Sequence, residues 1–318
     1  MNVKPPLDRY IIDFPRSHSL PITSGMIKHT CHDFQVKEYL DLSFSGAGEH
    51  LYLYVEKVGQ NTEFVAKRLA NYFGVRAMDV GFSGLKDRWA LTQQWFSIYL
   101  GNKTAAPIEH FELDGVKILE HNWHDKKLRR GTHQANHFTI RVTNIAEIGL
   151  LEQPLRHLQM HGFPNYFGAQ RFGREGANVR RAVQYFAGEI KASRSQRAFY
   201  LSAARSYLFN QLLAAKISEN SWSEEGVEGP LYGDAHEDTV PLDKAEQDFF
   251  ATYPELVKGI HKNRMTLHRR PYRMKAEQFS WQSEDQVLTL SFMLPAGVFA
   301  TSLVQELLEV EVMAHGDQ

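Results

Sequence analysis

The run Gly81-Phe82-Ser83-Gly84-Leu85-Lys86-Asp87-Arg88-Trp89-Ala90-Leu91-Thr92-Gln93-Gln94 constrains the chain more than any other. Its glycines make a turn, one carboxylate follows between two cations, and the apolar residues beyond read as a strand. A fold that contains it must set a charged junction at the mouth of a strand. Read alone, an Asp between Lys and Arg is most often a solvated surface loop with no chemistry. Neighbours on a strand point to opposite faces, so adjacency does not make a pair. The turn, however, can bring Lys86 round to Asp87, and a nearby cation keeps a carboxylate ionised for work as nucleophile, base or electrostatic partner.

A chain of 318 residues is long enough for one large or two ordinary domains with a full core. The hydrophobic share of 43% and charged share of 23% are those of a globular protein. A single cysteine, Cys31, rules out an internal disulfide framework and a Cys-rich zinc site, and fits a reducing compartment. The segment MNVKPPLDRYIIDFP has no apolar leader region, and no window approaches the roughly 18 apolar residues that a membrane span requires. The expectation is a cytoplasmic, soluble protein with no membrane partner.

A net charge of −1 hides a strong partition along the chain. Pro164 to Lys216 carries nine Lys/Arg against two acids, and Lys258 to Lys275 carries seven against none. Between them, Glu219 to Glu255 has eleven acids and one Lys. Cation clusters, rather than whole-chain charge, bind a polyanion. The alternative is that the acidic segment folds back and neutralises the basic ones.

Asp33 to Leu40 and His50 to Val58 read as strands around a Gly46-Ala47-Gly48 turn. Asn61-Thr62-Glu63 caps a helix with Phe64, Val65, Leu69 and Phe73 on its apolar face and Gly74 as its stop. Gln94 to Leu100, Val116 to His121 and His137 to Asn144 read as strands, and Ile148 to Met160 as a helix. Helices follow at Ala177 to Ala187, Ala198 to Ile217 and Lys244 to Phe250. Strands return at Gln278 to Trp281 and Gln286 to Met293, before a helix from Ala300 to Val312. The order predicts an α+β domain interrupted by a mostly helical insertion.

No P-loop is present, Gly46-Ala47-Gly48 lacks the third glycine of a dinucleotide fingerprint, and His133 and His137 have no carboxylate between them on a helix. Neither a cofactor nor a metal is expected. Phe34, Phe138 and Phe299 each follow a small or polar residue near a strand or turn. Such a ring can stack on an unpaired base, and can equally be core. Asn136 offers a donor and an acceptor to a uracil or ribose edge, or to its own turn.

Taken together, the strings resemble the tRNA pseudouridine synthase D family, the uridine-13 enzymes. The likeness runs through His32-Asp33-Phe34-Gln35-Val36, Gly48-Glu49-His50-Leu51, Asn61-Thr62, Phe82-Ser83-Gly84-Leu85-Lys86-Asp87 and Asn136-His137-Phe138-Thr139. It continues through Pro164-Asn165-Tyr166-Phe167-Gly168-Ala169-Gln170-Arg171-Phe172-Gly173, Leu201-Ser202-Ala203-Ala204-Arg205-Ser206, Leu294-Pro295-Ala296-Gly297 and Phe299-Ala300-Thr301. The resemblance implies a pseudouridine-synthase catalytic fold, a mixed and mainly antiparallel sheet with flanking helices, over residues 1–162 and 271–318. A family-specific, tRNA-contacting insertion would span 163–270. It implies isomerisation of uridine to pseudouridine in tRNA without a cofactor. Other structured RNA is a further candidate substrate, no obligate protein partner is evident, and a monomer is favoured over an oligomer. Asp87 matches the family's nucleophile and Lys86 the supporting cation, while Phe34, Asn136, Phe299 and Phe138 match substrate contacts. Arg171, Arg174, Arg180, Arg181 and Arg205 are the candidates for the RNA backbone. Departures stand at Arg88, Trp89 and Ala135, and the insertion is short near Ser221 to Leu242. An RNA chaperone and a nucleoside-bond hydrolase are the competing functions, the latter normally requiring a second carboxylate.

Overall fold

The computed structural model describes residues 10–312. Residues 1–9, which hold much of the segment examined for a leader, and 313–318 lie outside the described part. In chain order the first elements are β1 (Thr23–Ile27), β2 (Phe34–Tyr39), β3 (His50–Val58), α1 (Thr62–Tyr72), β4 (Val80–Phe82), β5 (Leu91–Tyr99), β6 (Val116–His124), β7 (Ala135–Thr143) and α2 (Glu152–His161). Then come β8 (Phe163–Pro164), α3 (Ala177–Phe186), α4 (Arg194–Ser218), β9 (Glu228–Leu231), α5 (Lys244–Ala251), α6 (Pro254–Lys262), β10 (His268–Pro271) and β11 (Arg273–Met274). The last are β12 (Glu277–Glu284), β13 (Val287–Pro295), α7 (Ala300–Leu307) and β14 (Leu308–Val312). Among the described residues no helix is long and apolar enough to cross a membrane.

The chain divides into two compact units. One, the sheet unit, comprises Pro21–Leu155, Ala276–Gly297 and Leu307–Gln318; the other, the helical unit, comprises Met1–Leu20, Arg156–Lys275 and Val298–Glu306.

The sheet unit is built on a 10-stranded sheet whose main path runs β12-β13-β7-β2-β5-β3-β6. Most pairs are antiparallel; β2 with β5 and β1 with β14 are parallel. Alternation explains the central strands. Leu288, Leu290, Phe292 and Leu294 of β13 are buried in every second place, and so are Phe138, Ile140 and Val142 of β7. On β2 the inward row is Phe34, Val36 and Glu38, facing Ile140, Phe138 and Asn136 across the ladder. A carboxylate therefore completes an otherwise apolar row. The strands read on either side of the Gly46 turn are not neighbours, because β5 lies between β2 and β3.

Helix α1 packs Val65, Ala66, Leu69 and Ala70 against Leu51, Leu53, Val55, Phe96 and Ile98. Phe64, expected on that face, is 42% exposed, since the buried stripe begins one position later. Asn61 takes the N-cap position without a side-chain bond. The expected helix to Val312 stops at Leu307. Leu-Glu-Val-Glu-Val alternates with period two, and those residues become β14 on β1.

The helical unit buries Phe172, Tyr207, Leu208, Leu212, Phe250 and Ile260 among α3 to α6. Ser193 with Gln196 and Asp243 with Glu246 form capping boxes that start α4 and α5. The sequence reading missed α6, which opens with Pro254 in its first turn. Gly259 of α6 lets α3 approach: a Cβ there would lie 2.0 Å from the Phe186 ring. In an open helix Gly→Ala stabilises by about 0.5–1 kcal/mol. Here the sign reverses, and Gly259→Ala destabilises by about 1–3 kcal/mol through overpacking. Urea denaturation checks this, with partial recovery expected when Phe186→Leu is added.

Candidate active site

The loop between β4 and β5 carries Asp87, and the sheet unit fastens it from below. Thr62 Oγ1 accepts the Lys86 backbone N–H at 3.0 Å and donates to Gln94 Oε1 at 2.9 Å. The Gln94 amide in turn donates to the Gly84 carbonyl at 3.1 Å. Lys57, fully buried on the inward face of β3, donates to the Asp87 carbonyl at 2.9 Å and the Gln60 carbonyl at 2.7 Å. Burial pushes its ammonium down to about 8, against the upward pull of Asp87.

The Asp87 carboxylate receives Lys28 Nζ at 2.5 Å. Its side chain stays 38% exposed while that of Lys28 is 7% exposed, so one side of the carboxylate is paired and the other is open. Lys28 holds a left-handed backbone at φ 59°, a conformation that costs a residue with a Cβ, and Trp89 Nε1 donates to its carbonyl at 3.1 Å. Its ammonium lies 4.3 Å from the Phe34 ring centroid, a cation–π distance. Phe34 meets Phe138 edge-on at 6.2 Å, and Phe138 stacks on Phe292 at 5.5 Å.

Lys86 does not turn to Asp87. It pairs with Glu38 at 2.7 Å, with side chains only 6% and 0% exposed. The inward carboxylate of β2 needs a cation, and successive residues of the extended loop point opposite ways. The cation on Asp87 is Lys28, which the sequence reading missed.

Asn136, across the ladder from Glu38, is buried. Its Nδ2 lies 3.3 Å from His133 Nε2, and His133 Nδ1 lies 2.7 Å from Ser83 Oγ. Phe34, Lys86, Asp87, Asn136 and Phe138 thus belong to one contiguous neighbourhood of the sheet unit. Glu38, Lys57, Thr62, Gln94 and His133 support it and were not among the site residues expected from the sequence. Lys57 and Glu38 did carry a signal: each is a charge in phase with the buried positions of its strand.

Phe299 belongs to the helical unit. There its ring meets Phe167 edge-on at 5.8 Å, and the Arg171 guanidinium lies 5.8 Å from its centroid. Arg171 also donates to Ser202 Oγ at 2.9 Å, and burial holds both Arg171 and Arg205 below the ordinary guanidinium range. Arg174 and Arg181 are exposed, while Arg180 donates to the Glu175 carbonyl. Arg270, unnamed in the sequence reading, lies over Phe167 at 4.1 Å and donates to the Asn165 carbonyl at 3.1 Å. Burial, with Arg171 adding to it, pushes Arg270 down to about 10.

The sequence model of the family described as "tRNA pseudouridine synthase D (TruD)" matches residues 16–190. A protein named tRNA pseudouridine synthase D from Aeromonas salmonicida is 39% identical, covering 94% of this chain and 95% of its own. One of the same name from Pseudomonas entomophila is 37% identical, over 93% and 94%. A crystal structure described as the putative tRNA pseudouridine synthase D of Methanosarcina mazei superposes with a TM-score of 0.68 at 19% identity, covering 96% of this chain and 98% of that one. That likeness is one of fold, and the expected α+β architecture is the one found.

Two outcomes are expected. Glu38→Gln strands the buried Lys86 ammonium and destabilises the protein by about 3–5 kcal/mol, and the double variant Glu38→Gln/Lys86→Met recovers most of the loss on chemical denaturation. For Lys57 the folded state releases its proton near pH 8, while the unfolded chain keeps it to about pH 10.5. The unfolded state therefore binds more protons across that window, and stability rises with pH by up to about 1.4 kcal/mol per unit. The difference between wild type and Lys57→Met should carry this slope; a difference flat in pH contradicts it.

Proposed function

The chain belongs to the tRNA pseudouridine synthase D family, and from that premise we propose that it isomerises uridine to pseudouridine in tRNA, at position 13, with Asp87 as the acting carboxylate. The observation that carries the reading is the state of Asp87. Its backbone is anchored by Lys57, its carboxylate is paired on one side by Lys28, and its other side is open. A group held in this way is pre-positioned to act on a sugar rather than to stabilise a fold.

The reaction breaks the C1′–N1 bond, turns the uracil, and joins its C5 to C1′. Asp87 attacks C1′ and the uracil leaves with the bonding pair on N1. After rotation C5 attacks C1′ and expels the carboxylate, and the C5 proton is lost as N1 gains one. Nothing is oxidised and no group is added. The base must first leave its stack. Phe34, packed with Lys28 and Phe138, supplies aromatic surface beside the carboxylate. Phe299 and Phe138 are assigned to the substrate by the family motif, as is Asn136. The arginines of the helical unit, Arg171, Arg174, Arg180, Arg181 and Arg205, are assigned to the RNA backbone. A hydrolase would direct a water with a second carboxylate. Glu38, a carboxylate of the same neighbourhood, is fully buried and spent on Lys86, which disfavours that reading.

Asp87→Asn keeps the size of the side chain and removes its reactivity. It is expected to leave tRNA affinity close to wild type and the protein folded, with a lower melting transition because the buried Lys28 ammonium loses its anion. Pseudouridine at position 13, read by chemical mapping of the tRNA, should fall to background with no free uracil released. Turnover retained in this variant contradicts the assignment. A 2′-deuterium rate effect near unity separates attack at C1′ from proton removal at C2′.

A further inference from the structure

One polar cluster of the sheet unit has no part in the chemistry above: Ser83, His133 and their contact with Asn136. His133 Nδ1 lies 2.7 Å from Ser83 Oγ, and the His133 backbone N–H donates to the same hydroxyl at 2.7 Å. On the far side of the ring, Asn136 Nδ2 lies 3.3 Å from Nε2. An amide NH₂ can only donate, so Nε2 must be the bare nitrogen. A neutral ring then carries its proton on Nδ1 and gives it to Ser83. Burial holds this imidazole below its ordinary range, and Lys86 pushes the same way, so the neutral ring is the favoured one. The consequence falls on Asn136. With its NH₂ committed to His133, its Oδ1 faces away from the ring, buried and without a hydrogen-bond partner.

We propose that His133 is a positioning residue for base recognition: fixed by Ser83 in its Nδ1–H form, it keeps Asn136 Oδ1 directed as an acceptor for an N–H of the substrate base. The inference rests on the reading of Asn136 as a base contact. Uracil offers the N–H at N3 that such an oxygen accepts, whereas cytosine has a lone pair there. The opposite amide orientation would present a donor and accept cytosine as readily. The relay therefore selects uridine as well as holding it. Protonation of His133 places an N–H on Nε2, which demands an acceptor and draws Oδ1 toward the ring. The charges facing that ring are Lys86 from the loop and Glu38 from β2, paired with each other. Base recognition accordingly weakens as pH falls through the titration of His133.

The test measures pseudouridine formation in tRNA from about pH 5 to 8, the range of imidazole titration, for wild type, His133→Gln and His133→Phe. In the Gln variant a carbonyl stands near the place of Nε2 and still accepts from Asn136. It should keep kcat/KM within a few-fold of wild type and lose the acid limb. The Phe variant leaves the amide unguided; its kcat/KM should drop about tenfold or more, matching one buried hydrogen bond, with the acid limb gone. Wild-type rates with the acid limb intact in His133→Phe overturn the proposal. Independently of turnover, the ¹⁵N shifts of the His133 ring, assigned by difference from the Phe variant, report the tautomer near neutral pH. Protonated Nδ1 with bare Nε2 supports the relay, and the reverse overturns it. If the Phe variant does not fold, the Gln profile and the wild-type shifts against the Gln variant decide. Should wild type form no pseudouridine, or Asp87→Asn still form it, the proposed function fails while the ring shifts continue to judge the relay.

Discussion

A buried ammonium with two backbone carbonyls to satisfy fixes the position of Asp87. Lys57 lies beneath the loop, out of contact with water, and donates to the carbonyls of Gln60 and Asp87. Burying such a group is unfavourable unless its donors are met, so the loop cannot lift without leaving it unpaired. Thr62, Gln94 and the Lys86–Glu38 pair fasten the residues on the N-terminal side in the same way. Among the described residues, the Asp87 carboxylate itself is bonded by Lys28. Rigidity is thus supplied through the backbone, and the carboxylate keeps an open side. A side chain restrained by many direct bonds would have been equally ordered and chemically inert.

This division explains what the sequence disclosed and what it concealed. Strands with strict alternation, β13 and β7 above all, were legible because one face is buried and register cannot slip without exposing it. The special strings around Asp87, Phe34 and Asn136 were legible as patterns. Their pairing was not, because it depends on which strands become neighbours. Lys28 and Asp87 are brought together by β2 lying parallel to β5, a contact between segments far apart in sequence. Lys86 is adjacent to Asp87 in the chain and turns to Glu38 instead. The tail Leu308–Val312 shows the opposite error, in which a plain alternating signal was overridden by continuing a helix.

The charge partition resolves along the same line within the helical unit. The basic run from Lys258 to Lys275 meets the acidic segment. Arg269 pairs with Glu246 at 2.5 Å with both side chains largely buried, Arg273 reaches Glu225 at 3.6 Å, and His261 reaches Asp234 at 2.5 Å. Part of the acidic surplus is therefore spent on internal pairs. The arginines from Arg171 to Arg205 are paired far less. Arg174 meets its neighbour Glu175 at 4.0 Å and in solvent, where such a pair contributes little. Arg171 answers to a hydroxyl and to aromatic faces rather than to a carboxylate. A guanidinium that is half-buried without an anion of its own retains a field that a phosphate can use, and a neutralised one does not. The cancellation falls mainly on the run from Lys258 to Lys275; in the other run Lys216 meets Glu219 at 3.3 Å, while Arg171 keeps a positive potential that suits a polyanion in spite of a net charge near zero.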